Sequence, residues 1–194
     1  LKARLEHYVS RKALNIDGLG AETVGRFFDL GLVATPADLY DLPQRRAELV
    51  GLERLGEKSI DNLIAGLEKS KTVPFERVLF GLGILHVGAG VAKALGRGFA
   101  SLEDIFAASE DRLTECEDVG EVIARSIVYW QGDPRNRDLL ARLEKAEVNM
   151  NSELFQPAAP AGPLAGKTFV LTGTLPTLKR EEAAARIEVA GGKV

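Results

Sequence analysis

A five-residue pattern that recurs four times limits the folds that this chain can adopt. Each copy reads apolar, two variable residues, apolar, glycine, and the copies end at Gly20, Gly56, Gly88 and Gly120, which lie 36, 32 and 32 residues apart. Small or apolar residues follow each glycine after four and after seven positions: Val24 and Phe27, Ile60 and Leu63, Ala92 and Leu95, Ala124 and Ile127. This is the spacing of the buried stripe of an amphipathic helix. The pattern therefore predicts four similar units, each a tight turn followed by a helix.

A second, longer period joins these units in pairs. Residues 35–40, TPADLY, align with residues 101–106, SLEDIF, and both segments begin with an N-cap residue and carry Asp three positions later. We therefore predict a mainly α-helical fold with four helix-hairpin-helix motifs in two pseudo-repeated pairs, at about residues 16–66 and 84–130, in a domain of residues 1–155. In each turn we expect the two apolar residues in the core and the glycine at φ > 0.

The hairpin turns offer a place for a phosphate group. Their N–H groups and the N-terminus of the following helix would point outward together, and the helix dipole favours a negative charge there. A dinucleotide-binding site is disfavoured, because its fingerprint needs a preceding strand and a third glycine where this chain has Thr23. A purely structural role of the hairpins stays open, because the turns need glycine in either case. Phosphate contacts carry no sequence information, so the pattern predicts sequence-independent binding of duplex DNA.

The candidate DNA-binding residues are those of the first three turns and the basic residues near them. The first hairpin contributes Arg11, Lys12, Gly18, Leu19 and Gly20. The second contributes Arg54, Gly56 and Lys58, and the third contributes His86, Gly88, Gly90 and Lys93. For Arg54, Lys58 and His86 the alternative of an ordinary exposed surface residue stays open.

The fourth turn differs from the other three in charge. Glu117, Asp118 and Glu121 surround Gly120, and carboxylates at this place would repel a phosphate. We therefore predict a structural role for this turn and leave open whether it touches DNA. The net charge of −3 does not decide the matter, because residues 54–98 contain seven Lys or Arg against four acidic residues, and residues 103–121 contain one Arg against eight.

No catalytic constellation and no metal site is predicted. His7 and His86 have no Cys or acidic residue at ligand spacing, and the single cysteine, Cys116, excludes an internal disulfide and a multi-Cys zinc site. Cys116 lies among apolar residues and is expected in the core. No apolar run approaches the roughly 20 residues that span a bilayer. The lack of an initiator Met and of a signal-like segment favours a cytoplasmic fragment of a longer protein.

The composition changes after residue 155. Residues 156–163, QPAAPAGP, are typical of a linker. Beyond it the pattern predicts a strand at residues 168–171, a helix that Gly191 and Gly192 close, and a second strand that opens at Lys193. Residues 164–194 thus predict the incomplete start of an α/β unit.

Several stretches closely resemble bacterial NAD-dependent DNA ligases, among them SRKALNIDGLG, GLERLGEKSIDNLIAGLEKSK, LFGLGILHVG and GKTFVLTGTLPTLKREEA. The resemblance covers nearly the whole chain. It implies that residues 1–155 are the helix-hairpin-helix domain of such a ligase and that residues 164–194 are the start of its BRCT domain. It also implies a parent enzyme that seals nicks in duplex DNA during replication and repair, with NAD, Mg²⁺ and Zn²⁺ bound outside this sequence.

On this interpretation the fragment holds no catalytic residue and no cofactor of its own. Its partners are nicked duplex DNA and the remaining domains of the same ligase, without a membrane, and its place is the cytoplasm, at the nucleoid through DNA. Two alternatives stay open. One is a helical module that recruits a replication or repair protein, which the acidic residues 103–121 suggest. The other is the duplex grip of a different repair enzyme, against which the ligase-like stretches SRKALNI and FVLTGTLP argue.

Overall fold

The computed structural model describes residues 1–53, 55–157, 163–164, 167–172 and 180–191. The chain divides into two compact units, Leu1–Phe155 and Gln156–Val194. Across the described ranges, no helix is long and apolar enough to cross a membrane.

The first unit consists of helices joined by tight turns, as the predicted mainly α-helical class requires. In chain order these are α1 (Lys2–Val9), α2 (Ala21–Asp29), a 3-10 helix (Pro36–Arg45), α3 (Arg46–Val50), α4 (Glu57–Ser70), α5 (Phe75–Gly81), α6 (Ala89–Gly98), α7 (Leu102–Ala107), α8 (Glu110–Thr114), α9 (Glu121–Gly132) and α10 (Pro134–Lys145). An isolated antiparallel bridge joins Ser101 to Asn151.

Four helices of this unit begin directly after a repeat glycine. Helix α2 follows Gly20, α4 follows Gly56, α6 follows Gly88 and α9 follows Gly120. We name the turns before them turn 1 (residues 16–20), turn 2 (residues 52–56), turn 3 (residues 84–88) and turn 4 (residues 116–120). The predicted helix stripes are buried in one core: Val24, Phe27, Ile60, Leu63, Ala92, Leu95, Ala124 and Ile127.

The apolar residues of three of the four turns are also buried in this core. The expected core residues of turns 1, 3 and 4 are buried: Ile16, Leu19, Ile84, Val87, Cys116 and Val119. In turn 2, by contrast, Leu52 and Leu55 are half-buried and pack against the edge of the core. Turn 2 is therefore the least deeply anchored of the four.

The segments that begin at Thr35 and Ser101 both start helices, as their sequences predict. The Ser101 hydroxyl accepts the N–H of Asp104 at 3.1 Å. The Asp38 carboxylate accepts the N–H groups of Ala34 and Thr35 at 2.8 and 2.7 Å. The earlier segment then runs as a 3-10 helix with Pro43 inside it, because proline has no N–H to donate and its ring disfavours a continuous α-helix.

Turn 1 lies directly on the backbone of α4. A Cβ added to Gly66 of α4 would overlap the carbonyl oxygen of Asp17, and one added to Gly18 would lie 3.1 Å from backbone atoms of Leu63. The Asp17 carboxylate also pairs with the Lys69 ammonium, with 3.1 Å between Oδ2 and Nζ. The first two repeats are thus held together through contacts that only a residue without a side chain permits at position 66.

The second unit contains helix α11 (Arg180–Val189), which Gly191 follows with φ +85°. This is the left-handed conformation that commonly ends a helix, so the predicted helix is present. Within the described residues 167–172, Thr168 forms a β-bridge, but no strand of two or more residues is present at the predicted positions 168–171. Most of the predicted linker, Gly192 and the strand predicted to open at Lys193 lie outside the described residues.

Candidate nucleic-acid interface

In turns 1, 3 and 4 the left-handed residue is the third residue of the turn, and not the repeat glycine at its end. The angle φ is +80° at Gly18, +67° at His86 and +62° at Asp118, and the equivalent Arg54 of turn 2 lies outside the described residues. The four repeat glycines have φ between −75° and −85°. The expectation of φ > 0 at these glycines is therefore wrong. The chain reverses two residues before the repeat glycine, which returns the fourth, apolar residue to the core, and the glycine that follows is already extended.

The repeat glycines face open space at the start of their helices. A Cβ added to any of Gly20, Gly56, Gly88 and Gly120 would meet no heavy atom within 4 Å. Each is the N-cap residue of its helix, and no side chain accepts a hydrogen bond from the first turn. A Ser or Asp at this position would cover these N–H groups with its own oxygen. Glycine instead leaves them accessible, together with the positive end of the helix dipole.

Three other helices of the same unit begin with a side-chain cap. Ser101, Ser109 and Asp133 precede α7, α8 and α10 and accept first-turn N–H groups at 3.1, 3.2 and 2.9 Å. Helices α1, α3 and α5 begin without such a cap, but among the helices that the structure describes in this unit only α2, α4, α6 and α9 begin at a glycine that faces open space. An uncapped helix start in open space is the geometry that binds an anion.

Four of the predicted cations are exposed, and Arg54 lies outside the described residues. Arg11, Lys12, Lys58 and Lys93 form no ion pair with any residue that the structure describes. Most other cations of the unit do form ion pairs: Lys2, Arg45, Arg46, Lys69, Lys71, Arg112, Arg125, Arg135 and Arg142. Lys58 is the second residue of α4 and Lys93 the fifth of α6. Each lies in the first turns of a helix that an open glycine precedes.

Three further candidate residues lie in different surroundings. His86 is exposed at the tip of turn 3, and Gly90 is exposed in the first turn of α6. The side chain of Leu19 is 1% exposed, and its N–H donates to the carbonyl oxygen of Ile16 at 3.2 Å. Leu19 therefore shapes turn 1 from within the core, and its side chain cannot contact a ligand.

Two arginines that are not among the predicted site residues bind backbone carbonyl groups in or near the turns. The Arg26 guanidinium donates to the carbonyl oxygen of Glu53 at 2.6 Å, which ties turn 2 to α2. The Arg77 guanidinium donates to the carbonyl oxygen of Arg11 at 2.5 Å, which ties the segment after α1 to α5. These contacts join residues far apart in sequence, so no local pattern indicates them.

Turn 4 carries a different charge from the first three. The Arg125 guanidinium lies between two carboxylates, with Nη2 3.4 Å from Oε2 of Glu121 and Nε 3.6 Å from Oε2 of Glu110. Asp118 occupies the left-handed position of the turn. Turn 4 therefore has more carboxylates than cations around it, which agrees with a structural role for this turn.

The described residues hold no metal-binding cluster. No group of three or more His, Cys, Asp or Glu side chains among them could hold a metal ion. Cys116 is buried as expected, and burial raises the pKa of its thiol. A thiol in this environment is an inert part of the core.

Tight apolar turns, each followed by a helix whose N-cap residue is glycine, are the features that the repeat predicts for helix-hairpin-helix motifs. Residues 77–140, which extend from α5 into α10 and include turns 3 and 4, match the model of the helix-hairpin-helix motif family. Residues 77–140 thus contain a helix-hairpin-helix motif, as the repeat predicts for this part of the chain.

The chain is also related to DNA ligases over its whole length. It is 44% identical over 193 residues to the DNA ligase of Phocaeicola vulgatus, which covers 100% of the chain and 29% of that ligase. It is 46% identical over 189 residues to the DNA ligase of Brevibacillus brevis and 46% identical over 191 residues to that of Alkalilimnicola ehrlichii, covering 97% and 98% of the chain. The chain spans about 28% of the length of these last two relatives. The resemblance to a region of DNA ligase is therefore confirmed.

Proposed function

We propose that this chain is the duplex-binding region of an NAD-dependent DNA ligase and binds DNA of any sequence through its backbone phosphates. One observation carries the proposal: the helices that follow the repeat begin at uncapped glycines in open space, whereas α7, α8 and α10 are capped by side chains. Anion binding explains this difference, because a capping side chain would compete with a phosphate oxygen for the same N–H groups.

The proposed contacts follow from the first three repeats. The first-turn N–H groups of α2, α4 and α6 donate to phosphate oxygens, with Gly20, Gly56 and Gly88 allowing the close approach. The unpaired side chains of Lys58 and Lys93 neutralise phosphates next to these seats. None of these groups reads a base, so binding is independent of sequence and depends strongly on salt.

The finer organisation belongs to the same proposal. We assign the four turns to four helix-hairpin-helix motifs in two pairs within residues 1–155. Residues 156–163 are a linker, and residues 164–194 are the beginning of a BRCT-like domain. Turn 4 then stabilises the second pair and makes little or no contact with DNA.

The parent enzyme supplies the chemistry. By its resemblance it uses NAD to activate the 5′-phosphate of a nick, with Mg²⁺, and holds Zn²⁺ in another domain. The proposed role of this region is to bind the duplex while the other domains of the enzyme catalyse the sealing of the nick. The alternative of a module that recruits a protein is not favoured, because both the motif match and the DNA ligase relatives point to DNA.

The test is a binding measurement on a fluorescein-labelled duplex of about 30 base pairs, nicked or intact, at several salt concentrations. We expect binding whose logarithm falls steeply with the logarithm of the salt concentration. The double variant Lys58→Glu, Lys93→Glu should lower this slope by about two, because each lost phosphate contact removes about one counterion.

Lys145→Glu, Arg137→Glu is the matched control. Both residues lie on α10, which does not follow a repeat turn, and the net charge changes by the same amount as in the test variant. The control should keep the wild-type slope. A test variant that binds duplex like the wild type would remove turns 2 and 3 from the interface and contradict the proposal.

A further inference from the structure

The second pair of repeats contains a groove that the first pair lacks. Position 85 in turn 3 corresponds to Asp17 in turn 1, and position 130 in α9 corresponds to Gly66 in α4. In the first pair these two residues touch through their backbones. In the second pair they are Leu85 and Trp130, and a groove of about 500 Å³ lies beside them. This volume is within the range of small-molecule sites, about 300–1,000 Å³.

The walls of this groove combine apolar surface with positive charge. Leu85 is 70% exposed and Tyr129 is 86% exposed, which is unusual for two large apolar side chains that line the same hollow. Arg4 and Arg125 also line it, and no carboxylate does so among the residues that the structure describes. The groove therefore fits a ligand with a flat apolar part and a negative charge.

The two guanidinium groups are only weakly held by the protein. Arg4 donates to the Asn136 side chain at 3.3 Å, and the Arg125 contacts to Glu121 and Glu110 measure 3.4 and 3.6 Å. Exposed ion pairs of this kind contribute little to stability. A phosphate can therefore compete with these partners, since a guanidinium group binds phosphate oxygens through two parallel hydrogen bonds.

We propose that this groove binds an unpaired nucleotide of a DNA strand. The base stacks on Tyr129 and contacts Leu85, and the phosphate pairs with Arg4 and Arg125. The proposal rests on the proposed duplex binding, because Leu85 lies in the same turn as Gly88, where that binding places a phosphate. Stacking on an exposed aromatic ring accepts every base, and removing such a ring costs about tenfold in affinity or more.

The test compares overhangs that have the same phosphates but differ in their bases. The complete 194-residue chain is titrated into three labelled 30-base-pair duplexes: a blunt one, one with a five-nucleotide deoxyadenosine overhang, and one with a five-nucleotide abasic overhang. We expect the deoxyadenosine overhang to bind about tenfold more tightly than the abasic one. Tyr129→Ala should abolish this difference and leave binding of the blunt duplex unchanged.

Two variants separate the ring from the fold. Tyr129→Phe keeps the stacking surface and should retain the preference for deoxyadenosine. Val128→Ala alters the neighbouring exposed residue of α9, which does not line the groove, and should also retain it. Thermal unfolding of each variant establishes that the fold is kept.

The outcomes distinguish the two proposals. Equal binding of both overhangs by the wild-type chain, with tight binding of the blunt duplex, would overturn the nucleotide site. A protein segment would then be the better candidate ligand for the groove. Loss of the preference in Val128→Ala, or its persistence in Tyr129→Ala, would also overturn it. Absence of blunt-duplex binding together with a preference for deoxyadenosine would support the groove and contradict the proposed function.

Discussion

The two pairs of repeats are built on the same pattern but present different surfaces. In the first pair, turn 1 lies on the bare backbone of α4 at Gly66, and α4 carries an unpaired Lys58 at its second position. In the second pair, α9 has Val122 at that position, Trp130 in place of Gly66, and an open groove beside turn 3. The repeat thus determines where the helices begin and which residues are buried. The variable residues within it decide whether a hairpin closes on its neighbour or leaves an open groove, and whether a cation follows the start of the helix.

The largest effect is expected at the closed contact of the first pair. Gly66→Ala should destabilise the protein by about 3 kcal/mol, because the new methyl group overlaps the carbonyl oxygen of Asp17. The overlap can be relieved only by a shift of the backbone of turn 1 or α4. Urea unfolding measures the effect. In the second pair, Gly132→Ala adds a methyl group at the end of α9 where nothing lies within 4 Å, and should be neutral or slightly stabilising. Equal stabilities of the two variants would contradict the direct packing of turn 1 on α4.

The segments that precede α3 and α8 differ in their electrostatics. Burial raises the pKa of Asp38, but the N–H groups of Ala34 and Thr35 and the guanidinium of Arg142 outweigh it, so the pKa lies below its ordinary value. The corresponding Asp104 accepts from the Ser101 hydroxyl at 2.9 Å. Asp38→Asn should therefore cost about 1–2 kcal/mol at pH 7, and Asp104→Asn should cost less.

The pH dependence of this effect has a defined sign. Because the folded pKa of Asp38 lies below the unfolded value, its contribution is fully present above the unfolded pKa and is lost as the pH falls through the folded pKa. Stabilities of wild type and Asp38→Asn should therefore converge in acid, below about pH 4. A constant difference between them down to pH 2 would show that Asp38 acts through something other than its charge.

A side-chain cap at the start of α6 should raise the stability of the protein and lower its affinity for duplex DNA. Gly88→Ser places a hydroxyl in front of α6, where the extended N-cap conformation and open space accept it. Stability should rise by a few tenths of a kcal/mol, and duplex affinity should fall by about tenfold, because the hydroxyl competes with a charged acceptor for the same N–H groups. Gly120→Ser in turn 4 should give the same gain in stability without loss of affinity. If both variants lost affinity equally, turn 4 would belong to the interface.

The smallest effect is expected when turn 4 receives the basic residue that turn 2 has. Asp118→Arg introduces the residue type that turn 2 has at the same repeat position, Arg54. Because turn 4 is proposed to make little or no contact with DNA, the salt slope of duplex binding should change by less than about one. Asp111→Arg on α8 changes the net charge equally and should give the same slope. A slope that rises by about one in Asp118→Arg alone would place turn 4 at the duplex and contradict its structural role.

Much of this architecture could be predicted from the spacing of apolar residues and glycines. That spacing located the starts of α2, α4, α6 and α9 and their buried stripes, because helix periodicity and burial are local properties of sequence. The conformation of the turns could not be predicted in the same way. The left-handed position is Gly18 in turn 1 but His86 and Asp118 in turns 3 and 4, so the glycine pattern alone pointed to the wrong residue.

The surface was harder to predict than the core. The choice of Lys58 and Lys93 rested on their closeness to a turn, whereas their lack of an ion pair depends on residues that come near only in the folded chain. The same holds for the groove beside turn 3. The sequence shows that Trp130 replaces Gly66 only after the repeats are aligned, and it does not show that Leu85 and Tyr129 stay exposed.

The extended conformation of the repeat glycines has an evolutionary consequence. Folding places no demand on Gly20, Gly56, Gly88 or Gly120 that another residue could not meet, since φ is ordinary and the space in front is empty. A descendant of this region that no longer needed its ligand could lose all four by drift and keep its fold. Gly66 and Gly18, which the packing itself requires, would be retained. We therefore expect relatives to keep the repeat glycines only where the ligand is still bound, and to keep glycine at positions 18 and 66 wherever the fold is kept.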